Sequence, residues 1–409
     1  MEVYDPAYDP MEALADLRHE FGEHGGVNMS IEASTTFSVM KARTLPELFQ
    51  GQYGPDGGCY LYGRHFNPTV YTLGKQIAQL EGAEAGYCTS SGMGAISAAL
   101  LQLCKLGDKI VSSHTVYGGT FALLNDFLPT RCGIKTTFVD VADLQAVDAA
   151  CAKGLKLLYV ETISNPTLEV ADIPGLAEIA HRYGAQLVVD NTFAPLLVSP
   201  LRLGADVVVH SLTKFINGAS DIVAGAICGK SEFIQSLMDL HDGTLMLLGP
   251  TMDPKMASAI SLRLPHLGLR MREHSHRAML YAQRLQALGI SVIYPGLEKH
   301  AGRKLLERIG NLNYGFGGIL GIDLGSAEKA GVFMEILQNQ EHFGFMAVSL
   351  GFSESLMTCP ASTTSSELGS EDLLKSGIQP GLVRISVGYT GSIEQRWRQL
   401  ESALRKIRA

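Results

Sequence analysis

The sequence predicts an α/β fold built around a large, mostly parallel sheet, and three observations support this. The chain has 409 residues, of which 46% are hydrophobic and 18% charged, so it can bury a sizeable core. From about residue 84 onward, short apolar runs alternate with helical stretches. The runs are apolar throughout rather than at every second residue, which is typical of strands covered by helices on both faces. The seven predicted strands are Ala85–Cys88, Ile110–Ser112, Thr136–Val139, Leu157–Thr162, Gln186–Asp190, Asp206–His210 and Ile222–Cys228.

The chain divides into three predicted regions. Residues 1–80 are rich in Gly, Pro and Asp and show little sustained apolar periodicity, so we expect an extended N-terminal arm. Residues 81–260 contain the predicted strands of the large domain. Residues 261–409 mix helices and strands, as in a smaller α+β domain. The elements predicted there are helices over Leu262–Leu288, Ala327–Gln338 and Ile393–Ile407 and strands over Gly318–Asp323 and Leu382–Val387.

Charge and cysteine usage exclude several classes of protein. The formal net charge is −8, whereas a nucleic-acid binder needs a basic surface. The seven cysteines form no Cys-x-x-Cys pair and no Cys/His spacing suited to zinc, as expected of a reduced chain without a metal site. The N-terminus lacks a basic and apolar leader, and no apolar stretch is long enough to span a membrane. We therefore expect a cytoplasmic protein with no nucleic-acid or membrane partner.

The segment from Asp206 to Lys214 carries the first candidate site. A wholly apolar strand ends there in Ser211, Leu212, Thr213 and Lys214. Ligands bind at the carboxyl ends of parallel strands, and a poorly solvated lysine becomes a nucleophile for carbonyl groups. The two hydroxyl groups suit a phosphate. A solvated lysine at a strand end is the alternative interpretation of this segment taken alone.

A second strand ends in a carboxylate, Asp190. A buried aspartate needs a partner, and a protonated pyridine nitrogen is a suitable one, although a turn-capping role would also explain it. Lysine and aspartate at neighbouring strand ends together favour pyridoxal 5′-phosphate (PLP). This cofactor needs a lysine for its aldehyde, a carboxylate at its ring nitrogen and a cradle for its phosphate.

A glycine-rich turn supplies the candidate cradle. Ser91, Gly92 and Met93 lie where the strand that ends at Cys88 turns into an apolar helix, so backbone N–H groups and the helix dipole can meet an anion. Tight packing alone would also explain the glycines. Tyr117 follows the next strand, where its ring can cover the face of a cofactor, or can be a half-buried turn residue.

These residues, in this order, resemble the γ-type PLP enzymes of cysteine and methionine metabolism, which have the aminotransferase-like fold called fold type I. The resemblance covers nearly the whole chain and, because several motifs match in order, is specific. The matching segments are Tyr62–Thr69, Ser90–Met93, Tyr117–Thr120, Asn165–Thr167, Asp190–Phe193, His210–Lys214, Ser349–Gly351 and Leu382–Gly388.

The resemblance implies a role for each cofactor contact. Lys214 is the Schiff-base lysine and, with Tyr117 as acid, one of two catalytic residues. Asp190 holds the ring nitrogen, Tyr117 stacks on the ring, and Asn165 lies against the phenolic oxygen. The phosphate-binding residues implied are Ser91, Gly92, Met93, Ser211 and Thr213.

The resemblance also implies a partner subunit and a substrate site. Tyr62 and Arg64 in the arm reach the phosphate bound by the neighbouring subunit, so the active unit is a homo-oligomer, in this family usually a dimer of dimers. Arg384 receives the substrate α-carboxylate as a bidentate pair, and Ser349 also contacts the substrate.

The implied activity is α,γ-elimination from L-methionine, or from homocysteine, cystathionine or canavanine, to 2-oxobutanoate, ammonia and a leaving group. Segments 20–33, 64–67 and 363–367 look most like plant-type methionine γ-lyases. Gly119 and Cys359 replace the cysteine and histidine that bacterial methionine lyases and many relatives carry. Three alternatives remain open: γ-replacement, as in cystathionine γ-synthases and O-acylhomoserine sulfhydrylases, another γ-leaving group, and a catalytically inactive scaffold.

Overall fold

A computed structural model describes residues 8–17, 24–363 and 377–408. Seven strands in this part of the chain form one sheet in the order β1-β7-β6-β5-β4-β2-β3. The strands are β1 (Ala85–Thr89), β2 (Lys109–Ser113), β3 (Lys135–Val139), β4 (Leu157–Glu161), β5 (Gln186–Asp190), β6 (Val207–Ser211) and β7 (Gly225–Gly229). All except β7 run parallel, and β7 pairs antiparallel with both β1 and β6. The predicted α/β class with a mostly parallel sheet is confirmed.

The last strand starts later than predicted, at Gly225 rather than Ile222. The reason is that a side chain, and not a neighbouring strand, forms hydrogen bonds with the backbone of Ala224. Thr213 Oγ1 accepts a hydrogen bond from the Ala224 N–H at 2.9 Å and donates to the Ala224 carbonyl at 3.2 Å. Residue 224 is therefore held to the loop after β6 instead of to a strand.

Helices cover both faces of the large sheet, as expected for a parallel sheet. Those up to residue 263 are α1 (Pro10–Asp16), α2 (Thr44–Phe49), α3 (Pro68–Glu81), α4 (Gly92–Leu103), α5 (Gly118–Ala122), α6 (Leu144–Cys151), α7 (Ile173–Arg182), α8 (Ser231–Leu237), α9 (Thr244–Leu248) and α10 (Pro254–Arg263). A π-helical segment, Leu123–Cys132, continues α5.

Helix α3 corrects the prediction of an extended arm for residues 68–80. The Asn67 side chain caps its N-terminus by accepting from the N–H groups of Thr69 and Val70, and a proline occupies the first turn. Leu73 and Ile77 are fully buried. A Cβ on Gly74 would overlap the backbone of β1, so this glycine allows the helix to lie directly on the sheet.

The predicted helix over Leu262–Leu288 is also corrected at its start. Helix α10 ends at Arg263, a 3₁₀ turn follows over Leu264–His266, and α11 covers Leu267–Ala287. Pro265 lies in that turn, where a residue without an N–H group cannot continue the α-helical hydrogen bonds.

A second, five-stranded sheet has the order β10-β11-β12-β9-β8. Its strands are β8 (Ser291–Ile293), β9 (Ile319–Asp323), β10 (Gly344–Met346), β11 (Ser355–Thr358) and β12 (Leu382–Ser386). The helices beyond α11 are α12 (Arg303–Ile309), α13 (Ala327–Asn339) and α14 (Ile393–Arg408). Four predicted elements of this region are confirmed, with bounds that agree to within one residue. They are the strands β9 and β12 and the helices α13 and α14.

The buried side chains form two apolar clusters, one around each sheet. The domain boundaries near residues 80 and 260 remain predictions. Among the described residues, no helix is long and apolar enough to cross a membrane. Parts of the segments 20–33 and 363–367, which carried the finer resemblance, lie outside the described ranges.

Candidate active site

Lys214 lies three residues beyond the end of β6, at the carboxyl edge of the large sheet. Its Nζ donates a hydrogen bond to Ser349 Oγ at 2.9 Å. Burial, aided by the positive charge of Arg384, lowers the pKa of Lys214 to about 8. The amine is thus available as a neutral nucleophile and base at a pH at which an exposed lysine is protonated.

The loop that carries Ser349 approaches Lys214 closely for two reasons. Ser349 has a φ of +95°, a left-handed conformation that is costly for a residue with a side chain. Gly351 follows it, and a Cβ there would lie 2.9 Å from the carbonyl carbon of Lys214. Such strained or crowded backbone is typical of a functional site.

Arg384, in β12, is buried beside the amine. Its Nη1 donates to Asn165 Oδ1 and its Nη2 to the Ser349 carbonyl, each at 2.9 Å. Its Nε is buried without a hydrogen-bond partner among the described residues. Burial lowers the pKa of Arg384 to about 10, so the side chain stays cationic at neutral pH. A buried, incompletely paired guanidinium calls for an anion such as a carboxylate.

Asp190 ends β5 on the same edge of the sheet. Its Oδ1 accepts from the Thr192 N–H at 2.9 Å and from Thr192 Oγ1 at 2.5 Å, and the Tyr159 hydroxyl donates to Oδ2 at 3.4 Å. Burial raises the pKa of Asp190, and the bonds from Thr192 partly oppose that effect. A carboxyl group in this state gains from a cationic partner.

The turn between β1 and α4 forms a cradle with β6. Ser91 caps α4 by accepting from the Gly94 N–H at 2.9 Å, so the N–H groups of Gly92 and Met93 lie in the first helical turn without intrahelical partners. A Cβ on Gly92 would lie 2.8 Å from Ser211 Cβ. Only a glycine therefore allows the start of α4 to lie this close to Ser211, which brings its N–H groups and the Ser211 hydroxyl to one place.

The two hydroxyl groups that follow β6 differ in their partners. The Ser211 N–H donates to Thr192 Oγ1 at 2.9 Å, which links the cradle to Asp190. The Thr213 hydroxyl is engaged with the backbone of Ala224, as described above.

Glu161, at the end of β4, connects two further predicted site residues. The Tyr117 N–H donates to its Oε1 at 2.6 Å, and the Asn165 N–H donates to its Oε2 at 3.0 Å. Glu161 pairs in register with Asp190 on the adjacent strand. Burial and the nearby Asp190 charge together raise the pKa of Glu161.

Tyr62 and Arg64 have other partners than the residues described so far. Tyr62 is 43% exposed and forms an isolated bridge with Thr36 in the arm. Arg64 Nη1 donates to the Met246 carbonyl at 2.8 Å, and its guanidinium lies 5.7 Å from the Tyr62 ring centre. The contacts described for these two residues do not include Lys214, Asp190 or the cradle.

Packing explains both residues that differ from those of related enzymes, Gly119 and Cys359. A Cβ on Gly119 would lie 2.6 Å from Tyr117 Cε1, so the glycine leaves room for the tyrosine ring in its present position. Cys359 is buried, and its thiol lies 3.4 Å from the Pro380 carbonyl, consistent with a packed cysteine.

Hydrogen bonds join six of the site residues in one set: Lys214, Ser349, Arg384, Asn165, Glu161 and Tyr117. Asp190 is linked to Ser211 through Thr192. Sequence reasoning missed Glu161 and Thr192. Glu161 could have been found by the same signal as Asp190, since each is a carboxylate at the end of an apolar strand. No group of three or more potential metal ligands occurs among the described residues.

This arrangement fits PLP on three observations of the structure. The buried lysine amine has a lowered pKa, any Cβ at Gly92 would collide with Ser211 beside the free N–H groups of the cradle, and a buried carboxyl group lies at the adjoining strand end. Together they offer an attachment point for an aldehyde, N–H donors for a phosphate and an acceptor for a ring nitrogen. Arg384 adds a site for a carboxylate.

Comparisons with known proteins agree with this chemistry. A family model described as Cys/Met metabolism PLP-dependent enzyme matches residues 13–404. The chain is 57% identical to a methionine gamma-lyase of Arabidopsis thaliana over 400 residues, covering 98% of this chain and 91% of the relative. The crystal structure of cystathionine gamma synthase from Xanthomonas oryzae pv. oryzae in complex with cystathionine matches with a TM-score of 0.86 at 33% identity, covering 99% of each chain.

A second similar structure contains the cofactor. A Campylobacter jejuni chain described as an O-acetylhomoserine (thiol)-lyase, solved with a pyridoxyl-lysine monophosphate group, matches with a TM-score of 0.89 at 27% identity. The match covers 97% of this chain and 100% of that one.

Proposed function

The chain belongs to the Cys/Met metabolism PLP-dependent enzyme family, and from this we propose that it is a γ-lyase acting on L-methionine or a similar homoserine-derived amino acid. The fold type I architecture and the PLP dependence follow from the family and its solved members. The observation that carries the proposal is the buried Arg384 beside the Lys214 amine, since it joins a carboxylate site to a base. The similarity to methionine gamma-lyase supports the choice of substrate.

The residues that would hold PLP are those of the site described above. Lys214 would hold the aldehyde, Asp190 the ring nitrogen, Tyr117 the ring face, and Asn165 the phenolic oxygen. The phosphate would lie against Ser91, Gly92, Met93, Ser211 and Thr213, with Tyr62 and Arg64 of a second subunit adding to it. When bound, PLP supplies an electron-accepting ring that stabilises negative charge next to the substrate amine.

The protein groups perform the remaining tasks. Arg384 binds the α-carboxylate through its guanidinium and so places the α-hydrogen within reach of Lys214 Nζ, which removes the proton as a general base. Asp190, as an anion, keeps the ring nitrogen protonated. Tyr117 donates a proton to the departing sulfur. With methionine and water consumed, the products are 2-oxobutanoate, ammonia and methanethiol.

The lowered pKa of Lys214 predicts how cofactor uptake depends on pH. Only the neutral amine attacks the aldehyde, so the rate at which the PLP-free protein takes up PLP should rise with pH around a midpoint of about 8 rather than the ordinary lysine value of 10.5. The rise is measured from the absorbance of bound PLP in stopped flow. Pyridoxamine phosphate, which has no aldehyde, is the control and should show no such step. A midpoint near 10.5 would contradict the assigned environment of Lys214.

We also propose a cytoplasmic homotetramer made of two active dimers. The family resemblance of Tyr62 and Arg64 supports the dimer, and neither residue has a described contact with Lys214 or Asp190 of its own chain. The described cysteines are all free, which supports a reducing compartment.

The function is tested by supplying the purified holoenzyme with methionine alone, and then with O-acetylhomoserine with and without a thiol. We expect 2-oxobutanoate and methanethiol from methionine without an added nucleophile. Dominant thioether formation from O-acetylhomoserine, with methionine inert, would identify a γ-replacement enzyme instead and refute the lyase proposal.

A further inference from the structure

Two loops that carry site residues are hydrogen-bonded to one buried carboxylate, that of Glu161. We infer that Glu161 is a positioning residue of the active site, which holds the Tyr117 and Asn165 segments in register through their backbone N–H groups. This inference rests on the proposed function only for the roles of Tyr117 and Asn165. The contact geometry of Glu161 is independent of the substrate.

The two bonds use both oxygens of the carboxylate. Oε1 accepts from Tyr117 at 2.6 Å, and Oε2 accepts from Asn165 at 3.0 Å. The two donors follow different strands of the sheet, β2 and β4, and lie 48 residues apart in the sequence. A single carboxylate therefore joins the Tyr117 loop, which would face the cofactor ring, to the Asn165 loop, which would face its phenolic oxygen.

The bond to Glu161 ties an exposed residue to a buried one, since Tyr117 is 42% exposed and Glu161 only 7% exposed. It fixes the backbone position from which the Tyr117 ring and hydroxyl project. The absence of a Cβ on Gly119 leaves room for that position.

Asn165 extends the link to the substrate side. Its Oδ1 accepts from Arg384 Nη1 at 2.9 Å, and Arg384 Nη2 donates to the Ser349 carbonyl, also at 2.9 Å. Ser349 in turn accepts from Lys214 Nζ at 2.9 Å. The carboxylate thus anchors a continuous set of hydrogen bonds that ends on the reacting amine.

The cost of placing this carboxylate argues for a role beyond filling space. Glu161 is buried next to the carboxyl group of Asp190, and both burial and that neighbour disfavour its charge. A neutral side chain would avoid the cost. Only a carboxylate accepts two N–H bonds, one on each oxygen, with no donor of its own in the way.

The test compares Glu161→Gln with Glu169→Gln in the holoenzyme. Gln keeps the shape of Glu161 but offers one acceptor and turns an N–H₂ group toward the other backbone N–H. Glu169 serves as the control, because it is an exposed carboxylate in the segment that follows the same strand, and it accepts from Thr115 Oγ1 at 3.1 Å. Neither Tyr117 nor Asn165 is among its described partners.

We expect Glu161→Gln to lower kcat about 10- to 150-fold, the equivalent of one hydrogen bond to a charged group, and to change the visible circular dichroism of bound PLP. Glu169→Gln should match the wild type in both. The dichroism reports cofactor placement without substrate, so it tests the positioning role even if methionine proves not to be the substrate. Unchanged dichroism with kcat within about 3-fold of wild type would overturn the inference.

A second variant decides the matter if Glu161→Gln does not fold. Glu161→Asp keeps the charge, but its shorter side chain cannot reach both N–H groups. The same loss of kcat and altered dichroism are expected for it. Wild-type values for Glu161→Asp would overturn the inference, since they would show that bridging both groups is not required.

Discussion

Replacement of Lys214 by alanine should reduce turnover of the amino-acid substrate by at least about 10⁴-fold and should remove the absorbance of lysine-bound PLP. The amine has two roles in the account, as the attachment point for the aldehyde and as the base for the α-hydrogen, and no other described amine is placed to take them over. The neighbouring Ser349 hydroxyl, the hydrogen-bond partner of the amine, is neutral and too weakly basic to remove the α-hydrogen.

Steady-state kinetics and an absorbance spectrum measure both effects. The matched control is Lys109→Ala, which removes an exposed lysine at the start of β2 whose Nζ donates to the Lys153 carbonyl. That variant should keep both turnover and the spectrum. Substantial turnover by Lys214→Ala would show that a different lysine carries the cofactor.

Replacement of Arg384 by leucine should have the second largest effect. We expect kcat/KM for the amino acid to fall by about 30- to 4,000-fold, equivalent to about 2–5 kcal/mol for a buried hydrogen-bonded charge pair. The guanidinium is buried and already bonded to Asn165 and Ser349, so it is held in place before the carboxylate arrives. Arg384→Lys should recover only part of the loss, because an ammonium group lacks the planar fork.

The specificity of this effect is checked with an amine that lacks the carboxylate, 3-(methylthio)propylamine, whose binding should be nearly insensitive to Arg384→Leu. Arg277→Leu is a matched control, since Arg277 is equally buried but pairs with Glu273 at 2.6 Å on helix α11. It should lower thermal stability without raising the substrate KM. An equal loss of binding for both ligands in Arg384→Leu would refute the carboxylate role.

Much of the fold could be predicted because the strands of a doubly covered parallel sheet are apolar at every position. Strand β5 was predicted with its observed bounds, Gln186–Asp190, for this reason. Helix α3 was missed because Gly and Thr interrupt its composition, although Val70, Leu73 and Ile77 recur at helical spacing. The short strands β8 and β10 have only three residues each and are formed by pairing with neighbours, which leaves little local signal.

Some site residues could likewise be predicted from local sequence, and others could not. The strand-end rule placed Lys214 and Asp190 together, because each directly follows or ends an adjacent parallel strand. The contact between Arg384 and Asn165 joins residues 219 positions apart, and no local pattern encodes it. Those two residues were proposed through the family resemblance alone. Glu161 was missed because its strand was predicted to continue to Thr162, which concealed that a carboxylate ends it.

Lys214 is the residue proposed to carry the cofactor, and peptide mapping after borohydride reduction identifies the lysine that does. Reduction of the holoenzyme fixes a pyridoxyl phosphate group covalently on the lysine that holds PLP, and proteolysis followed by mass spectrometry locates it. We expect one labelled peptide, the one containing residue 214, with label in proportion to bound cofactor. A stoichiometric label on any other lysine, with residue 214 unmodified, would contradict it.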